Sequence, residues 1–410
     1  MYQERRRVLS PPPARAALGL LGPAFVTAIA YVDPGNFATN LAAGSHYGYL
    51  LVWVVVVSNL MAVLIQYLSA KTGIATGLSL PALCRQEFPR STVRALWVQA
   101  ELVAIATDVA EVVGGAVALK LLFDLPLLVG GVITAVVAFS LLGLKSRGHK
   151  PFEAAITGLL GVILIGFAYN VLRGSPEPLA IAGGLAPRFD GADSVLLASG
   201  MLGATVMPHA IYLHSSLTAG RFKVTGERQR KAVLRGQRID VATAMTVAGL
   251  MNLALLVIAA SVLGPHGGDS IEKAHAVLGS VSGQTSALLF AIALLASGFA
   301  ASSVGTLSGQ IVMEGFLQRQ IPLVMRRLAS LLPALLILFV GTDPTKALVG
   351  SQVVLSFGIP FALVPLVLFT RRADIMGTLR NHPATTAVAS VIAAVIIVLN
   401  VSLVVLTLRS

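Results

Sequence analysis

Eleven stretches of this 410-residue sequence are apolar enough to be read as crossings of a lipid bilayer, and that reading constrains everything else about the chain. A helix needs roughly 20 apolar residues to traverse a hydrocarbon core about 30 Å thick, and in lipid its backbone must satisfy its own hydrogen bonds. The predicted spans are 17–42, 47–70, 94–123, 125–143, 152–172, 193–219, 240–264, 286–315, 328–342, 346–370 and 385–407, the ninth being the shortest. Only 12% of the residues are charged and 56% are hydrophobic, whereas a soluble chain carries about 25% charged residues. That deficit excludes a soluble enzyme, a disordered chain and a nucleic-acid module, and predicts an all-α integral membrane protein. The one cysteine, Cys84, cannot form an internal disulfide. Residues 1–13 are polar and proline-rich and precede a long apolar run, which predicts no cleaved signal peptide.

The net charge of +12 is distributed by topology. With the N-terminus placed in the cytoplasm, only Lys120, Arg173, Arg188, Lys273, Lys346 and Arg409 of the 30 basic residues fall on outer segments. All the others lie inside, as the positive-inside rule requires, and a missed or invented span would scramble that asymmetry. The expectation is therefore eleven spans in a cell inner (plasma) membrane, N-terminus cytoplasmic and C-terminus extracytoplasmic.

Two spans are interrupted at their middles. Span 1 contains Asp33-Pro34-Gly35-Asn36 and span 6 contains Met207-Pro208-His209. Proline removes a backbone donor and crowds the preceding turn, and unwound backbone at membrane depth is tolerated only where protein or a cavity surrounds it. The two breaks are five spans apart. Because five is odd, a repeat of spans 1–5 (about 17–172) by spans 6–10 (about 193–370) must be inverted, leaving span 11 (about 385–407) outside. Paired interrupted helices of this kind point to a transporter's midplane site within a single transmembrane domain.

Asp33 is a carboxylate inside an apolar span, which costs upward of ~2.5 kcal/mol and marks a functional candidate. The competing reading makes it only the N-cap of the second half of the broken helix, a role that Pro34 at the first helical position fits. Asn36 adds a neutral oxygen one turn on. Met207 stands at the matching break, and its thioether is a soft ligand, poorly suited to Mg²⁺ or Ca²⁺ and better suited to Mn²⁺, Fe²⁺ or Cd²⁺. Pro208 frees carbonyls about one turn earlier, near Ala204 and Thr205, and Ala204 is preferred because it lies three residues before Met207. Gln352, one turn into span 10, either completes the shell or makes an interhelical hydrogen bond. Asn252 and Gln66 read as gating or packing contacts.

Span 3 carries Glu101, Asp108 and Glu111 along one side of a helix, a stripe of roughly 15 Å. Three acids on one apolar helix predict a proton route, with Asp33 at its head and Arg326 and Arg327 near its inner exit. The competing reading is a set of structural ion pairs with those arginines. Histidine as a residue type titrates near neutral pH, which makes His209 and His214 shuttle candidates; for His209 the alternatives are a metal ligand, although it points about 160° away from Met207, and a neutral, hydrogen-bonded structural histidine.

The motifs Asp33-Pro34-Gly35-Asn36 and Met207-Pro208-His209 resemble the two signature motifs of the Nramp family of divalent-metal transporters. The segment from Ser302 to Phe316, which ends in Gly309-Gln310-Ile311-Val312-Met313-Glu314-Gly315-Phe316, is similar to the family's signature in the eighth span. Each motif alone is weak, but their order and spacing together are specific. The resemblance implies a LeuT-like fold and proton-coupled import of Mn²⁺ or Fe²⁺, and of Cd²⁺, by alternating access. It further implies that Asp33, Asn36, Met207 and the Ala204 carbonyl bind the metal, which is cargo and not a cofactor.

Three rivals remain at the level of sequence. A sodium-coupled amino-acid symporter on the same fold would use the positive helix ends at the breaks to hold a carboxylate, which Asp33 opposes. A passive metal channel is disfavoured by the broken helices. A membrane enzyme lacks any recognisable zinc-protease, nucleophile-elbow or phosphate-loop motif. The expected partners are a divalent metal ion, protons and the bilayer, with no nucleic acid and no obligatory protein.

Overall fold

The computed structural model describes residues 22–222, 226–266, 270–319 and 322–409, and these are almost entirely helical. Eight helices among the described residues are long and apolar enough to cross a membrane, and three shorter apolar helices, Pro23–Val32, Leu127–Gly143 and Ser330–Val340, stand where predicted spans 1, 4 and 9 lie. Residues 17–21 of the first predicted span are outside the described residues.

The first span is two pieces. Helix α1 (Pro23–Ala28) tightens into a 3₁₀ turn over Ile29–Val32, and α2 (Pro34–Tyr47) restarts after Asp33. Next come α3 (Val52–Thr76), a short α4 (Leu80–Glu87), α5 (Arg90–Phe123), α6 (Leu127–Gly143) and α7 (His149–Gly174). The sixth span is again split, into α8 (Gly191–Thr205) and α9 (Pro208–Thr218). Helices α10 (Glu227–Ile258), α11 (Gln284–Leu317), α12 (Leu323–Val340), α13 (Pro344–Thr370) and α14 (Pro383–Arg409) complete the bundle.

Two departures from the sequence reading have physical reasons. Helix α10 begins 13 residues before the predicted span because its first turns are polar and carry their own i,i+4 pair, Glu227–Lys231 at 2.7 Å. Helix α4 was not expected at all. It is capped by Ser79, whose hydroxyl accepts from Ala82 N, and it buries Leu80, Leu83 and Cys84 while leaving Arg85 to bond the Gly315 carbonyl at the end of α11.

Close backbone approach between helices is carried by small residues. A side chain at Gly114 of α5 would collide with Pro34, one at Gly298 of α11 with the backbone of Gly115, and one at Gly203 of α8 with Gln352 O and Ser356 N of α13. Helices α5, α11, α8 and α13 are thereby pressed around the two breaks. The apolar core that encloses them includes Val26, Ile29, Phe37, Val113, Met207, Leu213, Phe290 and Leu355.

Candidate metal site at the paired helix breaks

Asp33 takes an extended conformation (φ −78°, ψ 169°), which turns its carboxylate back over the start of α2. Its Oδ1 accepts from Asn36 N and from Asn36 Nδ2, each at 2.8 Å. The N-cap reading is therefore correct as local geometry, yet it uses only one carboxylate oxygen. Oδ2 faces Gln352 Nε2 at 3.5 Å, the outer limit of a hydrogen bond.

The second break presents its half of the site from the opposite side. Val206 (φ −102°, ψ 68°) leaves the helix and Met207 (φ −74°, ψ 127°) becomes the N-cap of α9, with Pro208 at its first position. Missing amides at this break leave the Ala204 carbonyl without a helical partner. That carbonyl accepts from Asn36 Nδ2 at 2.8 Å, which ties the two breaks together across 168 residues of sequence. Asp33, Asn36 and Ala204 are thus in one hydrogen-bonded group with Gln352 at its edge, and Met207 is fully buried three residues from Ala204.

Burial decides what such a group can do. Asp33 and Asn36 are 1% exposed and Met207 and Gln352 0%, so the polar atoms here depend on protein partners, and Gln352 Nε2 also reaches Ser351 Oγ at 3.3 Å. Two carbonyl oxygens, Asn36 Oδ1 and Gln352 Oε1, have none. An orphaned buried acceptor costs about 1–3 kcal/mol, and a pair of them beside a carboxylate is what a cation would relieve. Among the described residues no three His, Cys, Asp or Glu side chains cluster as a metal centre. One carboxylate, two amide oxygens, a main-chain carbonyl and a thioether, if brought to one ion, would make a weakly charged, mixed donor set.

The other predicted site residues fall into two groups. Asp108 and Glu111 are buried and Glu101 is half-buried on α5. The Glu111 carboxylate fills the niche left by Gly305 of α11, where a Cβ would lie 2.6 Å from Oε2. His209 joins this side: its Nδ1 is 3.3 Å from the hydroxyl of Thr107, next to Asp108, and its carbonyl accepts from Ser308 Oγ at 2.8 Å. Arg326 and Arg327 lie on α12, but their side chains are outside the described residues.

His214 belongs elsewhere. Its Nδ1 is 2.9 Å from Gln66 Oε1, and Gln66 Nε2 donates to Tyr31 OH at 2.5 Å, so it is tied to α3 and to the first half of the broken span. Asn252 supports the same region: its Nδ2 donates to the Tyr31 carbonyl at 2.7 Å and its Oδ1 accepts from Asn40 Nδ2 at 3.0 Å. Ser297 Oγ donates to the Val32 carbonyl at 2.6 Å. These bonds satisfy the carbonyls that the break in span 1 strands.

Three functional-looking residues escaped the sequence reading. Thr107 and Tyr31 carry no signal on their own, because a hydroxyl in an apolar helix usually bonds its own backbone. Asp240 did carry one, as an acid at the start of an apolar span. It is fully buried, and its carboxylate accepts from Gly22 N (3.2 Å) and Ala24 N (3.1 Å), capping α1. Gly22 needs to be glycine there, since φ is +141° and a side chain would meet the Glu153 carboxylate that pairs with Arg221.

Known proteins resemble this chain over nearly its whole length. Residues 24–406 match the Nramp family, described as natural resistance-associated macrophage protein-like. The divalent metal cation transporter MntH of Bacillus subtilis is 50% identical over 398 residues, covering 96% of this chain and 94% of that protein. A crystal structure of the Eremococcus coleocola manganese transporter superposes with a TM-score of 0.83 at 30% identity, covering 96% of this chain and 88% of that one. Mhp1, a nucleobase-cation-symport-1 transporter, shares the fold alone, at TM-score 0.59 and 15% identity. With signature residues at both helix breaks and this extent of similarity, the chain belongs to the Nramp family of metal transporters.

Proposed function

We propose that this protein imports divalent transition-metal ions, Mn²⁺ and Fe²⁺ and also Cd²⁺, coupled to protons and by alternating access. It is a transporter and not an enzyme, and the metal is its cargo. The observation that carries the reading is the bridge between the two breaks, in which Asn36 Nδ2 sits between Asp33 Oδ1 and the Ala204 carbonyl. Both neighbours are acceptors, so the amide nitrogen holds the place that a cation bridging them would take. Turning the Asn36 amide over exchanges that donor for Oδ1 and gives the arriving metal a further oxygen. Asp33, Asn36, Met207 and the Ala204 carbonyl are then the ligands, and Gln352 closes the shell.

Proton coupling follows from Asp33 being the lone carboxylate of the ligand set. Metal binding requires its ionised form, so metal arrival releases a proton. The route runs from Asp33 across to Asp108 and Glu111, with His209 joined to α5 through Thr107, and leaves past Glu101 toward Arg326 and Arg327. His214, bonded to Gln66, is assigned to the closure beneath the first half-helix more readily than to that route. The inverted halves, about 17–172 and 193–370, rock against each other around this site, with residues 385–407 outside them. The charge asymmetry supports eleven spans in the plasma membrane with a cytoplasmic N-terminus.

Substituting Asp33→Asn tests the core of this reading, since it preserves shape and removes the charge. Uptake of Mn²⁺ and the accompanying proton flux should both disappear in proteoliposomes. Retention of proton-coupled Mn²⁺ uptake by that variant would falsify it.

A further inference from the structure

Helix α13 contains Pro360, which has no amide hydrogen, so the carbonyl of Ser356 one turn earlier has no helical donor. A different helix supplies one. Asn400 of α14 donates from Nδ2 to the Ser356 carbonyl at 2.7 Å, and its Oδ1 accepts from the Ser356 hydroxyl at 2.9 Å. Asn400 is 6% exposed in an otherwise apolar segment, a placement too costly in lipid without a partner. Gln352 lies four residues before Ser356, on the same face of α13. The stretch between them is wedged against Gly203 of α8, and the Gln352 side chain rests against Gly35 of α2.

From this arrangement we infer that Asn400 is a positioning residue for the metal site, holding the proline-weakened turn of α13 at the angle that brings Gln352 to Asp33. The inference rests on Gln352 being a metal ligand. Gln352 stands eight residues from Pro360, a lever of about 12 Å, so a bend of about 5° moves it by about 1 Å. Its Nε2 is 3.5 Å from Asp33 Oδ2, so a shift of about half an ångström separates a formed hydrogen bond from a lost one. Helix α14, which lies outside the paired halves, thereby acquires a role: it controls the bend of α13.

The test is a double-mutant cycle read by Mn²⁺ uptake in proteoliposomes. Asn400→Leu should raise KM for Mn²⁺ about three- to tenfold, the range of one interhelical hydrogen bond made or lost in a membrane bundle. Asn400→Ala, which removes the donor without adding bulk, should act in the same direction and serves if the leucine variant does not fold. Pro360→Ala restores a backbone donor to the Ser356 carbonyl, so in that background either Asn400 variant should add less than a further twofold. Equal effects with and without Pro360, or no KM change from Asn400→Leu, would overturn the inference. The Gln352→Ala background separates it from the ligand reading. Should Gln352→Ala leave KM unchanged, the ligand assignment fails together with the inference built on it. Should Gln352→Ala raise KM while Asn400→Leu adds its full factor on top, the ligand stands and the positioning role falls.

Discussion

Gly35→Ala tests the geometry of the site without touching any proposed ligand. Gly35 is the second residue of α2, and a Cβ there would lie 2.8 Å from Gln352 Cγ and closer still to its Cδ and Nε2. Ordinary contact between such atoms begins near 3.5 Å, so the Gln352 side chain has to withdraw by roughly 1–1.5 Å. From its present 3.5 Å to Asp33 Oδ2, that takes it out of hydrogen-bond reach. The same withdrawal carries the Gln352 carbonyl away from an ion held at Asp33, and that single neutral ligand is put at about the 1.5 kcal/mol of one charge-assisted contact. About 1.4 kcal/mol is a tenfold loss of apparent Mn²⁺ affinity. Alanine is a better helix residue than glycine by up to about 1 kcal/mol, so thermal stability should hold or rise. The combination of a tenfold higher KM with an unchanged or higher Tm distinguishes this mechanism from damage to the fold. The assay is Mn²⁺ uptake beside a melting curve of the purified protein, and Gln352→Ala should absorb the effect. Wild-type KM in Gly35→Ala, or full additivity with Gln352→Ala, would refute the reasoning.

The remaining predictions concern selectivity and the packing around the first half of span 1. Met207→Ala should retain Mn²⁺ uptake at higher KM and make it sensitive to excess Ca²⁺ or Mg²⁺, because the soft donor is removed; insensitivity to both would leave Met207 as packing. Gln66→Leu strands Tyr31 OH and the Nδ1 of His214, at about 1–3 kcal/mol for each unpaired group, so its Tm should drop more than that of Tyr31→Phe, which strands one. Asp240→Asn weakens the cap on Gly22 N and Ala24 N by about 1 kcal/mol, so a cysteine at position 28, with Cys84 replaced, should label about fivefold faster with an impermeant thiol reagent added on the side that the N-terminus faces.

Much of this architecture was legible in the sequence because membrane spans write themselves in long apolar runs. The breaks were legible because Pro34 and Pro208 interrupt apolar spans, next to Asp33 and Met207, whose side chains can bind a metal. Ala204 could be picked out by counting back from Pro208, and its carbonyl does meet Asn36. What escaped were contacts set by tertiary approach. No periodicity announces that Asn400 will reach the Ser356 carbonyl, or that Thr107 will face His209. His214 and His209 looked alike as titratable residues of one span, yet helix α9 turns one toward Gln66 and the other toward α5. The short helix α4 was invisible to a search for spans because its eight residues are amphipathic and lie between them.

On this reading the paired breaks form a soft-metal site coupled to protons. Mn²⁺ uptake into proteoliposomes with an acidic exterior, following lumenal pH in the same vesicles and adding excess Mg²⁺ and Ca²⁺, tests it most directly. Mn²⁺ and protons should enter together, and neither competitor should slow them. Mn²⁺ uptake that is absent, moves no protons, or is blocked by Mg²⁺ would contradict it.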